Sequence, residues 1–220
     1  MSIKDRFEVK SIPRKQAKPW ILKKHYAHRM ASISYCFGLH KKENLELVGV
    51  CTFGHIPAPK EQVAWKPYDL YELNRLITED DLPKNALSYF VSKCIKLMPS
   101  PCVLISFADK NQGHHGYIYQ ATNWIYSGIG AEGTKSFVMK DGSVRHARHA
   151  YRINMEHVEE IQRSEYGKFR YYYFVGNKRE KRKMWEIFDK RESLQELPYP
   201  KGENENYDTG KELHKQQRLF

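Results

Sequence analysis

Residues 68–109 read YDLYELNRLITEDDLPKNALSYFVSKCIKLMPSPCVLISFAD and predict a strand–helix–strand unit. The β-rich run at 68–78 predicts the first strand. Apolar residues then recur at helical spacing and form one stripe, namely Leu87, Phe90, Val91, Cys94, Ile95 and Met98. Asp80 or Asp81 is expected to cap this helix. The almost wholly apolar run at 102–108 predicts a strand that is buried on both faces.

The rest of the chain predicts further strands and helices around this unit. The runs at 33–39 and 45–53 are expected to pair as an antiparallel hairpin. Helices are expected at 15–30 and, in a shorter form, at 114–124. Other strands are expected at 7–12, at 125–130 and, as a pair turned at KDGS, within 135–153. The order β-α-β-β-β-α-β-α-β-β predicts an α/β fold with a mixed central sheet and flanking helices.

The chain after residue 153 differs in composition from the part before it. We therefore expect residues 1–153 to form the catalytic domain, and residues 154–220 to form a basic, aromatic extension that packs on it and ends in a loose tail. Within the extension, HVEEIQRSE (157–165) predicts a short helix. KFRYYYFVGNKREKRKMW interleaves basic and aromatic residues, which suits phosphate contacts and base stacking, or else a solvated edge strand and helix.

The charge of the chain is strongly positive. It contains 37 Lys and Arg against 26 Asp and Glu, which gives a net charge of +11 and a pI of about 9.4. Such a charge attracts polyanions such as DNA, RNA, anionic lipid or a phosphorylated cofactor, although it can also serve solubility alone. No apolar run approaches the roughly 18 residues that span a membrane, and the N-terminus has no apolar signal region. These features predict a soluble intracellular protein.

Two candidate functional residues follow the predicted buried strand. Asp109 comes directly after it, where ligands bind in open α/β sheets. Its carboxylate can orient a base, bind a metal or accept a proton, or it can simply cap the next helix. Tyr119 lies in the short predicted helix. Its hydroxyl is either a satisfied core group or a general acid.

Other candidates lie earlier in the chain. Arg75 is in an apolar strand, where a guanidinium is costly unless an acidic side chain or an anionic ligand pairs with it. His25 closes the first predicted helix as a C-terminal cation, a core residue, or a base or ligand. The adjacent His114 and His115 can bind one metal only in unusual geometry, and the sequence contains neither H-E-x-x-H nor a two-His-one-carboxylate spacing, which argues against a metal site.

Four segments carry a resemblance to a known family: LNRLITEDDLPKNALSYFVSKCIKLMP, VLISFADKNQGHHGYIYQATNWIYSG, KFRYYYFVGNKREKRK and LPYPK. Together they resemble the Mom family of phage DNA-adenine modification proteins. The resemblance covers roughly residues 20–201 and is most specific over 72–128. This family is similar in fold to the GNAT N-acyltransferases, and the predicted order of strands and helices agrees with that fold.

The resemblance implies a DNA-modifying transferase. Its activity would convert adenine in DNA to N6-carbamoylmethyladenine (also called acetamido- or methylcarbamoyl-adenine), which protects phage DNA from host restriction. Asp109 is expected to orient or deprotonate, together with His25. Arg75 is expected to pair with Asp109 or to hold the donor, and Tyr119 is expected to be the general acid for the leaving group.

The resemblance also implies how DNA is held. Because the 6-amino group reacts poorly inside a stacked duplex, adenine in double-stranded DNA is expected to flip out of the helix. The basic C-terminal segment would hold the flanking phosphates. The expected substrate-binding residues are Tyr26, Asn74, Asn111, Lys178, Arg179 and Arg182. Such a protein is expected in the cytoplasm of a bacterial host, encoded by a phage or prophage.

The implied cofactors are an activated acyl or aminoacyl donor, with acetyl-CoA as one candidate, and iron. In GNAT proteins a Gly-rich loop binds the pyrophosphate of coenzyme A, but DDLPKNALS stands at that position without a glycine. A helix N-terminus can still hold an anion. Two alternatives stay open: a GNAT-type N-acetyltransferase that acts on a protein or a small amine, and a non-catalytic nucleic-acid-binding module. The sequence leaves the donor, the metal and the oligomeric state undetermined.

Overall fold

The structure, a computed structural model, describes residues 2–130, 135–146, 151–163 and 167–202, without the side chains of Asn111, Val144 and His146. The strands are β1 (Phe7–Ser11), β2 (Tyr35–Lys41), β3 (Leu47–His55), β4 (Asp69–Thr78), β5 (Cys102–Asp109), β6 (Ile125–Ile129), β7 (Lys135–Met139), β8 (Val144–His146), β9 (Val158–Arg163) and β10 (Lys168–Val175). The helices are α1 (Ile3–Arg6), α2 (Arg14–Lys23), α3 (Pro59–Ala64), α4 (Ala86–Leu97), α5 (Tyr117–Ala121) and α6 (Lys178–Asp189).

A seven-stranded mixed sheet forms the centre of the fold, in the order β1-β2-β3-β4-β5-β10-β6. β4 and β5 run parallel, as a strand–helix–strand unit requires, and the other neighbouring strands of this sheet are antiparallel. The predicted hairpin of β2 and β3 is confirmed. The predicted α/β class, with a mixed central sheet and flanking helices, is confirmed as well. A second, three-stranded sheet has the order β8-β7-β9.

Helices cover both faces of the central sheet. α4 and α5 pack on one face, where Phe90 and Val91 share a hydrophobic core with β5 residues such as Leu104. α6 packs on the opposite face, over the alternate residues Val103 and Ile105. Because successive side chains of a strand point to opposite faces, β5 is buried on both sides, as its apolar sequence predicted. α2 covers β3 and β4 on the same face as α6.

Two sequence predictions about helices are wrong at their ends. The helix expected at 15–30 stops at Lys23, and His28 has a φ of 43°, which lies in the left-handed region that an α-helix cannot contain. Neither Asp80 nor Asp81 caps the next helix. α4 begins later, after Asn85, whose φ of 70° interrupts the helical path.

The short helix predicted at 157–165 is also wrong, because most of this segment forms β9. Pairing with β7 along one edge gives this segment the backbone hydrogen bonds of a strand, and this tertiary contact overrides the local preference. The predicted turn at KDGS between β7 and β8 is confirmed, since the Met139 N–H donates to the Ser143 carbonyl and Gly142 has a φ of 78°.

The segment after residue 153 enters the central sheet. β10 pairs with β5 along all eight of its residues and with β6 on its other side. The boundary at 153/154 stays a prediction, but β10 is an inner strand of the main sheet rather than an element that packs on its outside. Among the described residues, no helix is both long and apolar enough to cross a bilayer.

Candidate active site

The candidate site lies where β4 and β5 separate. Their parallel pairing runs from Asp69 opposite Cys102 to Leu73 opposite Ser106, although both strands continue beyond it. A bulge in β4 at Asn74 marks the point of divergence, because the pairing with β3 shifts there. The Ser106 hydroxyl donates to the Leu73 carbonyl at 2.8 Å. The two strands thus open a gap in the middle of the sheet, at the end where β5 reaches Asp109.

Asp109 is held by a lysine that the sequence did not single out. It is the last residue of β5, is only 4% exposed, and its Oδ2 lies 2.7 Å from Lys168 Nζ. Lys168 begins β10 and stands directly opposite Asp109 in the antiparallel register. The sequence predicts that Arg75 either pairs with Asp109 or holds the donor, and in the structure Asp109 forms an ion pair with Lys168. This pair keeps a buried carboxylate compensated at the end of the sheet.

Arg75 lies on β4 just beyond the bulge and bonds to backbone carbonyls. Its two terminal nitrogens donate to the carbonyls of Asn74, at 2.6 Å, and of Arg29, at 2.9 Å. Its Nε is buried and has no hydrogen-bond partner among the described residues. Burial lowers the pKa of Arg75. The guanidinium therefore places a positive charge at the gap, and among the described residues no carbonyl or carboxylate accepts a hydrogen bond from its Nε.

His25 follows α2 and is buried in a fixed tautomer. The backbone N–H of Ala27 donates to His25 Nδ1 at 3.0 Å. Because a backbone amide can only donate, Nδ1 is the unprotonated nitrogen and the ring proton resides on Nε2. Burial, together with the nearby cations Arg75 and Lys168, lowers the pKa of His25 to about 2. The imidazole is therefore neutral and offers an N–H donor.

Aromatic rings extend from His25 along the site. The Tyr26 ring stacks on the His25 ring with centroids 4.4 Å apart, and it meets the His114 ring edge-on at 6.1 Å. Burial lowers the pKa of His114, and the charge of Asp109 opposes this effect. The structure thus brings together His25, Tyr26 and Asp109, which the sequence predicted, and adds His114 beside them.

Tyr119 lies on the other face of β5. Its hydroxyl is 2.7 Å from Ser106 Oγ, and its ring packs against Trp124 and Tyr171. Burial raises the pKa of Tyr119, so the phenol keeps its proton. Since Ser106 and Asp109 are three residues apart on one strand, their side chains point to opposite faces of the sheet.

The other expected substrate-binding residues have different positions. The amide of Asn74 accepts from the Thr52 hydroxyl at 2.7 Å and donates to the Ser32 carbonyl at 2.7 Å, so it ties β4 to its neighbours. Asn111 belongs to the 3-10 turn that follows Asp109, and its side chain lies outside the described residues.

Lys178, Arg179 and Arg182 lie far from the gap. All three are exposed on α6, which begins after the last residue of β10. β10 starts at the Asp109 end of the sheet and spans eight residues, so its far end is about 23 Å away. The structure therefore separates these three cations from the other candidate residues at the opposite end of the sheet.

The residues present do not fit the pyrophosphate of acetyl-CoA. Glu79, Asp80 and Asp81 precede α4 and line a shallow cavity with Lys41 and Glu46. This largely acidic surface includes part of the segment that the resemblance assigns to pyrophosphate binding, and it repels an anion. Within the described ranges, no group of three or more His, Cys, Asp or Glu side chains could hold a metal ion, so the implied iron has no fitting site there.

Sequence reasoning missed Lys168 and Ser106. The available signal for Ser106 was its place inside an apolar run that is predicted to be buried, because a buried hydroxyl must find a hydrogen-bond partner. In the structure Ser106 is 0% exposed. Lys168 carried no local signal. Its role depends on the pairing of β10 with β5, two strands that are almost sixty residues apart in the chain.

Comparisons with known proteins agree with the resemblance. The model of the Mom protein family matches residues 6–201, which is most of the chain. The chain belongs to the Mom protein family. It is 34% identical over 120 residues to methylcarbamoylase mom of Escherichia phage Mu, an alignment that covers 51% of this chain and 49% of that protein. The chain thus aligns with about half the length of this Mom relative.

A solved structure is also similar to this Mom family member. The ribosomal-protein-S5-alanine acetyltransferase from Vibrio fischeri superposes with a TM-score of 0.43 and 7% sequence identity. The superposition covers 77% of this chain and 93% of the acetyltransferase.

Proposed function

We propose that this protein is a phage DNA-modification transferase that converts adenine in DNA to N6-carbamoylmethyladenine and so protects DNA from host restriction. The observation that carries the proposal is the family match over residues 6–201. The family relative from phage Mu is named a methylcarbamoylase. The candidate site supports a group transfer, because it gathers a carboxylate, a neutral imidazole, a guanidinium and a phenol around one gap.

We assign a separate role in such a transfer to each residue. The N6 amine of adenine forms a bond to the electrophilic carbon of an activated donor, N6 loses a proton, and the bond from that carbon to the leaving group breaks. Asp109 accepts the proton, and its carboxylate is held in place by Lys168 Nζ at 2.7 Å. Tyr119 returns a proton to the leaving group, because burial keeps its phenol protonated.

His25 takes a different part from the one that the resemblance suggested. With Nδ1 occupied by the Ala27 N–H, the imidazole has a proton to donate from Nε2 and is not a base. A neutral imidazole stabilises the negative charge that develops on the leaving group as its bond to the electrophilic carbon breaks. Lys168 already pairs with Asp109, so the Arg75 guanidinium is not needed to compensate that carboxylate. Arg75 therefore stabilises the same negative charge as His25. Tyr26 contributes its ring to the wall on which an extrahelical adenine stacks.

The test is mass spectrometry of nucleosides from plasmid DNA of bacteria that express the protein. We expect an adenosine that is about 57 mass units heavier, because positioned acid–base groups replace one N6 hydrogen with a carbamoylmethyl group. The matched control is Asp109→Asn, which keeps the size of the side chain and removes the base. Unmodified DNA from well-expressed wild-type protein would contradict the proposal and favour acetyl transfer to another amine.

A further inference from the structure

Residues 130–167 form an insertion, here called the arm, that leaves the central sheet beside Asp109. β6 ends at Ile129, opposite Phe169, and β10 begins at Lys168, opposite Asp109. The Gly130 N–H donates to the Lys168 carbonyl at 2.8 Å, which joins the two stems of the arm. A side chain on Gly167 would collide with the Gly130 carbonyl, so the stems touch. The arm is thus rooted at the candidate active site.

The arm is a folded unit and not a loose loop in its described parts. β7 lies between β8 and β9 in a three-stranded antiparallel sheet. Phe137, Met139 and Ile153 form a small core of their own, with Val158 packed against it. This arrangement leaves β8 at one edge and β9 at the other.

Charge is unevenly distributed over the arm. The sequence of residues 144–152, VRHARHAYR, contains three arginines and no acidic residue. β9, on the far side of β7 from β8, carries Glu159 and Glu160 together with Arg163. Within the basic part, Arg145 and Arg152 are exposed, and Tyr151 is 75% exposed with the Arg152 guanidinium 5.1 Å from its ring centroid. We call these three exposed residues, Arg145 of β8 and Tyr151 and Arg152 further along the chain, the basic edge.

We propose that the basic edge of the arm is a DNA-contact surface, where Arg145 and Arg152 hold phosphates next to the target adenine and Tyr151 stacks on a base. This inference rests on the proposed function, which makes DNA the substrate. Guanidinium groups match phosphate oxygens, and an exposed aromatic ring offers a platform for an unstacked base. A protein that flips a base must hold the strand on both sides of it.

The position of the arm favours this surface over α6. The arm begins at the Asp109 end of the sheet, whereas Lys178, Arg179 and Arg182 begin α6 at the other end. The capping box of α6 already occupies its first turn, since Asn177 and Glu180 bond to each other's backbone N–H groups. A DNA strand that reaches Asp109 therefore meets the arm before it meets α6.

The experiment compares matched double variants of the full chain. Binding of a fluorescein-labelled 30-base-pair duplex is measured by anisotropy over a range of salt concentrations for the wild type, Arg145→Ala/Arg152→Ala and Arg179→Ala/Arg182→Ala. Each variant removes two exposed arginines, so the net charge changes equally. We expect the arm variant to bind about tenfold more weakly, with the slope of log K against log salt reduced by about 1.8, and the α6 variant to change less.

Tyr151 is tested by Tyr151→Ala and Tyr151→Phe. The alanine variant should bind about tenfold more weakly with an unchanged salt slope, because a stacked ring and not a charge is lost. The phenylalanine variant should bind like the wild type. Normal affinity and salt slope in the arm variant, or a loss confined to the α6 variant, would overturn the proposal.

The same preparations separate this proposal from the proposed function. Nucleosides from cells that express each variant are analysed for modified adenosine. A wild type that modifies DNA, with arm variants that bind DNA normally, refutes the arm proposal alone. A wild type that leaves DNA unmodified, while the arm variants lose DNA binding as expected, refutes the proposed reaction and supports the arm.

Discussion

The ion pair between Asp109 and Lys168 allows us to predict how much stability the protein loses when the ammonium group of Lys168 is removed. Lys168→Met removes the ammonium at 2.7 Å and leaves the Asp109 carboxylate buried at 4% exposure. A charge-assisted hydrogen bond of this kind contributes about 2 kcal/mol, less than a fully buried pair, because Lys168 is 46% exposed and partly solvated. With an m-value of about 2 kcal/mol/M in urea, the unfolding midpoint should fall by about 1 M.

A double-mutant cycle isolates the coupling energy between Asp109 and Lys168. Asp109→Asn, Lys168→Met and the double variant are unfolded in urea, and the coupling energy should be about 2 kcal/mol, equivalent to a factor of about 30. Lys168→Arg is the control, since it keeps the charge and should keep most of the stability and of the modification yield. A coupling energy below about 0.5 kcal/mol would refute the claim that Lys168 holds Asp109 in place.

Four further predictions follow from the site and the fold. Asp109→Ala should abolish adenine modification, measured by nucleoside mass spectrometry, while circular dichroism stays that of the wild type. Ser106→Ala should lower the free energy of unfolding by about 1–2 kcal/mol, because the Leu73 carbonyl loses a buried donor. Burial lowers the pKa of His25 to about 2, so below about pH 6.5 the unfolded chain binds a proton at this residue and the folded protein does not. The free energy of unfolding should therefore fall as the pH drops below about 6.5, and it should fall less steeply in His25→Gln. A fragment of residues 1–153 should fail to give a cooperative thermal transition, because β5 loses its neighbour β10 and exposes Val103 and Ile105.

The sequence predicted the fold where a local pattern carried the information. The apolar stripe of α4, the buried run of β5 and the turn at KDGS all stand close to where their patterns placed them. The errors arose where distant contacts override local preference. The segment 157–165 looks helical by composition, but pairing with β7 makes most of it a strand. No pattern in the sequence reveals that β10 inserts between β5 and β6.

The candidate site was predictable in part for the same reason. Asp109 and Arg75 stood out because a charged residue at the end or in the middle of an apolar strand needs a partner. The sequence did not identify that partner: Arg75 was expected to pair with Asp109 or to hold the donor, whereas Asp109 forms an ion pair with Lys168. The roles of the individual residues stay predictions. Their juxtaposition at the separation of β4 and β5 is what the structure adds.

β10 connects the features that the site requires. Its first residue holds Asp109, its N-terminal end anchors one stem of the arm, and its middle supplies Tyr171, which packs against Tyr119. A shift of β10 by one residue would turn every side chain to the opposite face and would separate Lys168 from Asp109. The register of this one strand therefore sets both the ion pair of the candidate base and the position of one stem of the arm. For this reason, changes along β10 should affect modification and DNA binding together.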